Sequence, residues 1–244
     1  GADPDGYTWL AGAPNVHTVR PWLVRTNPFD SAERLTPITT VAEPFMGVIV
    51  NPSVPVNNFK ELIDYARKNP GKIAYASSGV GTTFHLDAEL IQIMTGIKLV
   101  HVPYKALQAA IGDVVSNQIP MSFSLAGQAR GHVAAGKLKA IAIVGKKRYP
   151  QWPNVGLISE TVPGFEAPAA WTGLFGPAKL PAALVKRIHD EVGNSLASPA
   201  VKDRLAKIGI ETRGMPSAEF AAHIKAQKAL IGKIVKAAGI QPAD

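Results

Sequence analysis

Between residues 46 and 144, short β-prone runs alternate with amphipathic helical stretches, and this alternation restricts the chain to an α/β fold. Strand-like runs fall at 46–50, 73–76, 98–102, 119–124 and 138–144. Helical stretches separate most of them. The first is capped by Asn57 or Asn58 and has Phe59, Leu62, Ile63 and Ala66 on its apolar face. Asn69-Pro70-Gly71 stops it. Others are read at 106–115 and 128–135. The repeat predicts parallel strand pairing through right-handed crossovers.

Within this frame, the segment 72–85 is the most informative. A β-rich run ends in Ser77, Ser78, Gly79, Gly81, Thr82 and Thr83, and an amphipathic helix follows with Leu86, Leu90, Ile93 and Met94 spaced for one apolar face. A strand, a small-residue loop and a helix N-terminus together suit an anion. Glycine lets the backbone approach, first-turn N–H groups are unpaired, and hydroxyls add donors. The loop has no Gly-Lys-Ser/Thr and lacks G-x-G-x-x-G spacing, so neither a Walker loop nor a dinucleotide site is indicated. A carboxylate grip fits the residues. Ordinary turn and cap chemistry produces similar loops, so the segment leaves both readings open.

The flanks are less regular. Pro4-Asp5-Gly6 signals a turn before a strand over 7–10, and residues 12–17 read as a second small-residue loop. The stretch 21–40, with Pro28, Asp30 and Ser31, reads as irregular, and a strand piece follows at 40–42. Beyond a Pro- and aromatic-rich connector, 149–165, a strand is expected over 170–175. Helices follow over 181–196 (Leu184, Val185, Ile188 and Val192 inward), 199–207 and 217–238, with one more strand at 208–212. Ser217 resembles a helix cap.

Composition narrows the function. The 244 residues suffice for one large domain or two lobes, and 46% hydrophobic with 18% charged residues describes a globular chain. No apolar run approaches the roughly 20 residues of a bilayer span. Absence of cysteine removes disulfides, thiolate catalysis and Cys-ligated metals. The net charge of +8 favours an anionic partner. Lys225, Lys228, Lys233 and Lys236 are spread among alanines without interleaved aromatics, so no nucleic-acid face is expected. The six histidines show no paired ligand spacing, so no metal and no cofactor is expected. Catalytic signatures such as G-x-S-x-G and H-E-x-x-H are missing. His85 and Asp87 make a poor dyad, because i and i+2 face different sides of a helix.

Four islands, taken in order, resemble the Bug family, the extracytoplasmic solute receptors of tripartite tricarboxylate transporters. They are Asp5-Gly-Tyr-Thr, Tyr75-Ala-Ser-Ser-Gly-x-Gly-Thr-Thr-x-His85, His101-Val-Pro-Tyr-Lys105 and Ala135-Gly-Lys-Leu-Lys-Ala140. Ala170-Trp-x-Gly-Leu-Phe-x-Pro177 and the C-terminal helices extend the match over almost the whole chain. The resemblance implies a two-lobed periplasmic-binding-protein (type II) fold with mixed or parallel sheets. Residues 1–46 with 170–244 would form lobe one and 47–169 lobe two. It further implies a periplasmic location, a small carboxylate held in the cleft, and delivery to membrane permease subunits. Hinge motion at the crossovers would carry the signal.

Residue by residue, the resemblance assigns the carboxylate grip to Ser78, Gly79, Gly81, Thr82 and Thr83. It places His85 at a motif position in the helix's first turn, where ligand contact and a surface or capping role are both open, and Tyr104 at the motif aromatic, with ligand packing and structural support both open for Tyr104. Asn15 and His17 would face the cleft from lobe one. Trp171 would anchor the crossover. At Ser124 many relatives place an aspartate that could pair with a ligand ammonium, so a serine there favours a plain carboxylate. Family members also begin with a strand, a Pro-Gly-Gly-type loop and a long helix ahead of Asp5. Lobe one is therefore expected to be incomplete, with exposed sheet edges or apolar surface. A sensor receptor feeding a signalling partner and, less favoured, a carboxylate-processing enzyme are the alternatives.

Overall fold

The computed structural model describes residues 2–26 and 31–242, and the chain divides into two units, 1–44 with 169–244 and 45–168. Pro28 and Asp30 lie outside the described residues.

The first unit opens with β1 (Leu10–Gly12), a shorter and later strand than expected. Where a loop was anticipated the chain makes a π-helical turn, Asn15–Val19, which runs into α1 (Arg20–Leu23). Pro21 explains the wide turn. It has no N–H to close an i→i−4 bond, and its ring crowds the preceding turn. The N–H of Arg20 instead reaches Asn15 O, and Thr18 Oγ1 donates to Pro14 O at 2.9 Å. After α2 (Ser31–Arg34), the ten-residue β2 (Leu35–Pro44) replaces the irregular stretch. Its pairing with β8 (Thr172–Pro177, below) shifts register between Pro37 and Thr39 and again between Thr40 and Ala42. Such bulges accommodate a proline, which cannot donate to the ladder.

The second unit begins with β3 (Met46–Val50), whose five residues are all buried. Asn58 caps α3 (Phe59–Lys68). Its side chain accepts from Glu61 N at 2.9 Å, while Glu61 Oε2 accepts from Asn57 N at 2.7 Å. This reciprocal arrangement satisfies one first-turn donor and the N–H of the residue just before the cap. Asn58→Ala is expected to lower stability by about 1 kcal/mol in urea unfolding, whereas Asn58→Asp should keep most of it. The chain continues through β4 (Ile73–Ser77), α4 (Thr83–Thr95), β5 (Leu99–Pro103), α5 (Leu107–Val115), β6 (Met121–Leu125), α6 (Ala126–Ala134), β7 (Lys139–Val144) and α7 (Ile158–Thr161).

Among the described residues these strands form a five-stranded sheet in the order β5-β4-β6-β3-β7. β4 is parallel to β5 and β6, but β3 runs antiparallel to both β6 and β7. The expectation of parallel pairing therefore holds for the β4–β6 part alone. β3 enters opposed to its neighbours, and no local pattern in its five apolar residues encodes a direction.

The expected apolar face of α4 also differs. Phe84, Ala88 and Ile91 form the buried stripe, Leu86 is buried as well, and Ile93 and Met94 are exposed. The first two turns are enclosed on several sides and the last emerges, so burial follows position along the axis as well as the 3.6 period. The aromatic connector joins the same core: Tyr149 and Trp152 are buried with their rings edge-on at 5.3 Å.

The chain then returns to the first unit through β8, α8 (Ala182–Ala197), α9 (Pro199–Lys207), β9 (Ile210–Thr212) and α10 (Ser217–Ala237). Among the described residues its sheet has the order β1-β8-β2-β9, antiparallel throughout. Trp171, Phe175, Met215 and Phe220 form one core cluster, and Ile38, Leu180, Val185 and Ile188 another. Ser217 is not a cap. It is the first helical residue, after Pro216, and its hydroxyl donates to Pro37 O at 2.7 Å, tying α10 to β2. Tyr7, Trp9 and Leu10 stand exposed along the β1 edge.

Candidate functional site

In the second unit β4, β5 and β6 run parallel and so end at one edge of the sheet, where α4, α5 and α6 begin. Such an edge gathers loops and helix N-termini, the usual place for a ligand in an α/β sheet.

The loop after β4 closes tightly on itself. Gly79 and Gly81 adopt φ of +121° and +75°, a region that L side chains rarely occupy. Thr82 occupies the N-cap position of α4, yet its hydroxyl does not cap the helix. It donates back to Gly79 O at 2.8 Å. The Gly79 N–H goes to Ser77 Oγ at 3.1 Å, and the Gly81 N–H to Nδ1 of His85 at 3.0 Å. Loop amides are thus partly consumed in holding the loop's shape. Among the described residues, the hydroxyls of Ser78 and Thr83 make no hydrogen bond. The first-turn amides of Thr83, Phe84 and His85 have no side-chain cap, and helix geometry gives them no internal partner. Ser78, Thr82 and Thr83 are all partly exposed. The junction therefore presents donors and no charged side chain of its own, an arrangement suited to an oxyanion.

His85 is buried, as is Ser77, and both lie beneath this surface. Because His85 Nδ1 accepts the Gly81 N–H, the neutral ring carries its proton on Nε2, which faces Glu89 Oε1 at 3.6 Å. Burial, with His101 adding to it, lowers the His85 pKa to about 4. His101 stacks on His85 at 4.2 Å and shares a 2.6 Å hydrogen bond through Nε2 with Ser77 Oγ. Tyr75 also stacks on His101, at 5.0 Å, and donates to Glu89 Oε1 at 3.3 Å. Desolvation raises the Tyr75 phenol and the Glu89 carboxyl alike. Sequence reasoning missed Ser77, Tyr75, Glu89 and His101 as a group. The signal was the in-register pair Tyr75↔His101, visible only once β4 and β5 are known to be neighbours.

Tyr104 lies next to the loop, and its N–H donates to Ser77 O at 3.0 Å. Its phenol donates to Asp113 Oδ2 at 2.7 Å, and desolvation together with that carboxylate pushes its pKa up to about 12. This bond ties the loop after β5 to α5. Ser124 is buried at the end of β6, with its hydroxyl donating to Leu125 O at 3.2 Å.

Asn15 and His17 belong to the first unit. Asn15 is exposed at the start of the π-helical turn. His17 is 2% exposed, stacked on Phe175 at 4.1 Å and near Trp171 at 5.7 Å. Neither of its ring nitrogens has a hydrogen-bond partner among the described residues, and desolvation lowers its pKa to about 4. Trp171 is likewise buried, in the same cluster. The structure therefore gathers Ser78, Gly79, Gly81, Thr82, Thr83 and His85 at one junction, and places Tyr104 and Ser124 at neighbouring strand ends. Asn15 and His17 belong to the other unit. Among the described residues, no group of three or more His, Asp or Glu side chains is placed to hold a metal, and no helix is long and apolar enough to cross a membrane.

Residues 1–240 match the family model described as the tripartite tricarboxylate transporter family receptor, TctC. A Pseudomonas sp. (strain P51) protein, described as a UPF0065 protein in the tcbD-tcbE intergenic region, is 31% identical over 215 residues. That alignment covers 87% of this chain and 63% of the relative, so the chain spans less than two thirds of its length. Among solved structures, R. palustris Rpa4515 with adipate superposes with a TM-score of 0.87 at 30% identity, over 99% of this chain and 81% of that one. The periplasmic binding protein BugD gives a TM-score of 0.83 at 27% identity, with 99% and 81% covered. The two-lobed α/β fold of periplasmic-binding-protein type expected from the sequence is the fold of these proteins. The chain belongs to the tripartite tricarboxylate transporter receptor family, as a Bug-type, TctC-like member.

Proposed function

We propose that this chain is a solute receptor that captures a small carboxylate on the 78–83 loop and the N-terminus of α4, and delivers it to the permease subunits of a tripartite transporter outside the cytoplasm. One observation carries the reading: the junction holds free hydroxyls on Ser78 and Thr83 above uncapped first-turn amides, with two positive-φ glycines setting the approach. The adipate seen with Rpa4515, at 30% identity, supports a carboxylate and puts dicarboxylates of that length first among candidates. Ser124 supplies no charge for a ligand ammonium, which favours a plain carboxylate over an amino acid.

The test is a thermal-shift panel of mono-, di- and tricarboxylates at neutral pH, followed by titration calorimetry. A ligand at a hundred times its Kd should add about 2.7 kcal/mol, with about 2–4 °C expected for each kcal/mol in a chain of this size. Thr82→Ala combined with Thr83→Ala is expected to weaken the best ligand by about 1–3 kcal/mol, because Thr83 loses a free hydroxyl that can bond a charged group and Thr82 loses the bond to Gly79 O that shapes the loop. Unchanged affinity in the double variant would exclude this loop as the site.

A further inference from the structure

Two stacked imidazoles lie beneath the loop, and each is bonded to one of its two turns. His85 accepts the Gly81 N–H directly at 3.0 Å. His101 acts through Ser77, whose Oγ lies 2.6 Å from His101 Nε2 and accepts the Gly79 N–H at 3.1 Å. The glycines so held are the two with φ of +121° and +75°. A glycine samples positive and negative φ about equally and loses more freedom on ordering than any other residue. The backbone itself supplies one bond, from Thr82 N–H to Gly79 O at 3.3 Å, so the amides of Gly79 and Gly81 depend on side chains to hold them.

We infer that His85 is a positioning residue for ligand capture: it locks the anion loop in its binding shape through Gly81, with His101 and Ser77 locking the Gly79 side, and it does not itself touch the ligand. The inference rests on the proposed carboxylate role of the loop. The geometry supports it in three ways. His85 is 6% exposed, so its ring faces protein. Its Nδ1 lone pair is committed to Gly81, so that atom has nothing to offer an anion. Its Nε2–H points toward Glu89, on the same helix. His85 is thus oriented by Glu89 and backed by His101, and Glu89 is in turn bonded by Tyr75 and by Gln92 Nε2 at 2.9 Å.

The test uses three proteins: wild type, His85→Leu and His85→Asn. Asparagine places Oδ1 close to where histidine has Nδ1, so it can accept the Gly81 N–H without an imidazole. Leucine fills the space and accepts nothing. Amide hydrogen exchange is read at Gly81, and the affinity for adipate by calorimetry. In His85→Leu, exchange at Gly81 should rise by about ten-fold, the equivalent of one lost hydrogen bond, and adipate affinity should fall by a similar factor. His85→Asn should restore both to within a few-fold of wild type. A ligand-contacting histidine would instead lose affinity in both variants with Gly81 exchange unchanged in His85→Asn, and that result would overturn the inference. So would a His85→Leu protein whose Gly81 amide stays protected. If the wild type bound neither adipate nor any other carboxylate of the panel, the receptor reading would fail, while Gly81 exchange would still decide whether His85 holds the loop.

Discussion

Phe220→Ala should lower the unfolding free energy by about 3–5 kcal/mol, a large share of the total for a domain. The ring is fully buried on α10, edge-on to Trp171 at 4.9 Å and tilted against Phe175 at 5.2 Å. Removing it deletes the aromatic contact between the helix and β8, one of the two central strands of the β1-β8-β2-β9 sheet. It also leaves a cavity among aromatic side chains that cannot collapse without moving a strand. The same packing explains Gly173 on β8. A Cβ there would lie 2.4 Å from Phe220 Cζ, so Gly173→Ala should cost about 1–3 kcal/mol by overpacking. The two substitutions relieve each other, and the combined variant should be more stable than the sum of the separate losses predicts. Urea unfolding followed by far-UV circular dichroism reads all three. A loss below about 1 kcal/mol for Phe220→Ala would show that α10 is not anchored at this ring.

Acid should destabilise the wild type more than His17→Phe, by about 2 kcal/mol at pH 5 relative to pH 7.5. Desolvation in the aromatic box of Phe175 and Trp171 lowers the folded-state pKa of His17 from 6.5 to about 4. Below pH 6.5 the unfolded chain binds a proton that the folded chain refuses until about pH 4. Stability from the neutral ring is therefore fully present above pH 6.5 and is lost as pH falls through that window. His85, whose pKa is lowered to about 4 in the second unit, acts in the same direction. Asp87 opposes both: burial raises its pKa well above the usual carboxylate range, so the folded state takes up its proton early. The comparison is for that reason made between proteins that differ only at His17. Phenylalanine keeps the stack on Phe175 and cannot titrate. Parallel stability–pH curves for the two proteins would rule out His17 as a buried neutral histidine.

The α/β class, an asparagine cap at 57 or 58, and the loop as a strand-to-helix junction were legible in the sequence. Each is set by residues within a few positions of one another: a cap bonds three residues on, and a helix or strand repeats its own period. The loop residues 78–83 and His85 could be found together for the same reason, since one strand, one turn and one helix N-terminus place them. Family membership was legible through ordered islands spanning the chain.

What the sequence could not supply depended on contacts between distant segments. The direction of β3 follows from its place between β6 and β7, and its five apolar residues would fit either orientation. The exposure of Ile93 and Met94 depends on what covers the end of α4, which the helical period does not specify. Ser217 looked like a cap and bonds Pro37 instead, across 180 residues. The imidazole pair beneath the loop arises only because parallel pairing of β4 and β5 sets Tyr75 opposite His101 and brings His101 under His85. Local chemistry chose the elements and the 78–83 loop. Tertiary packing decided which side chains lie beneath that loop, because burial and ring stacking depend on strand neighbours that no local pattern encodes.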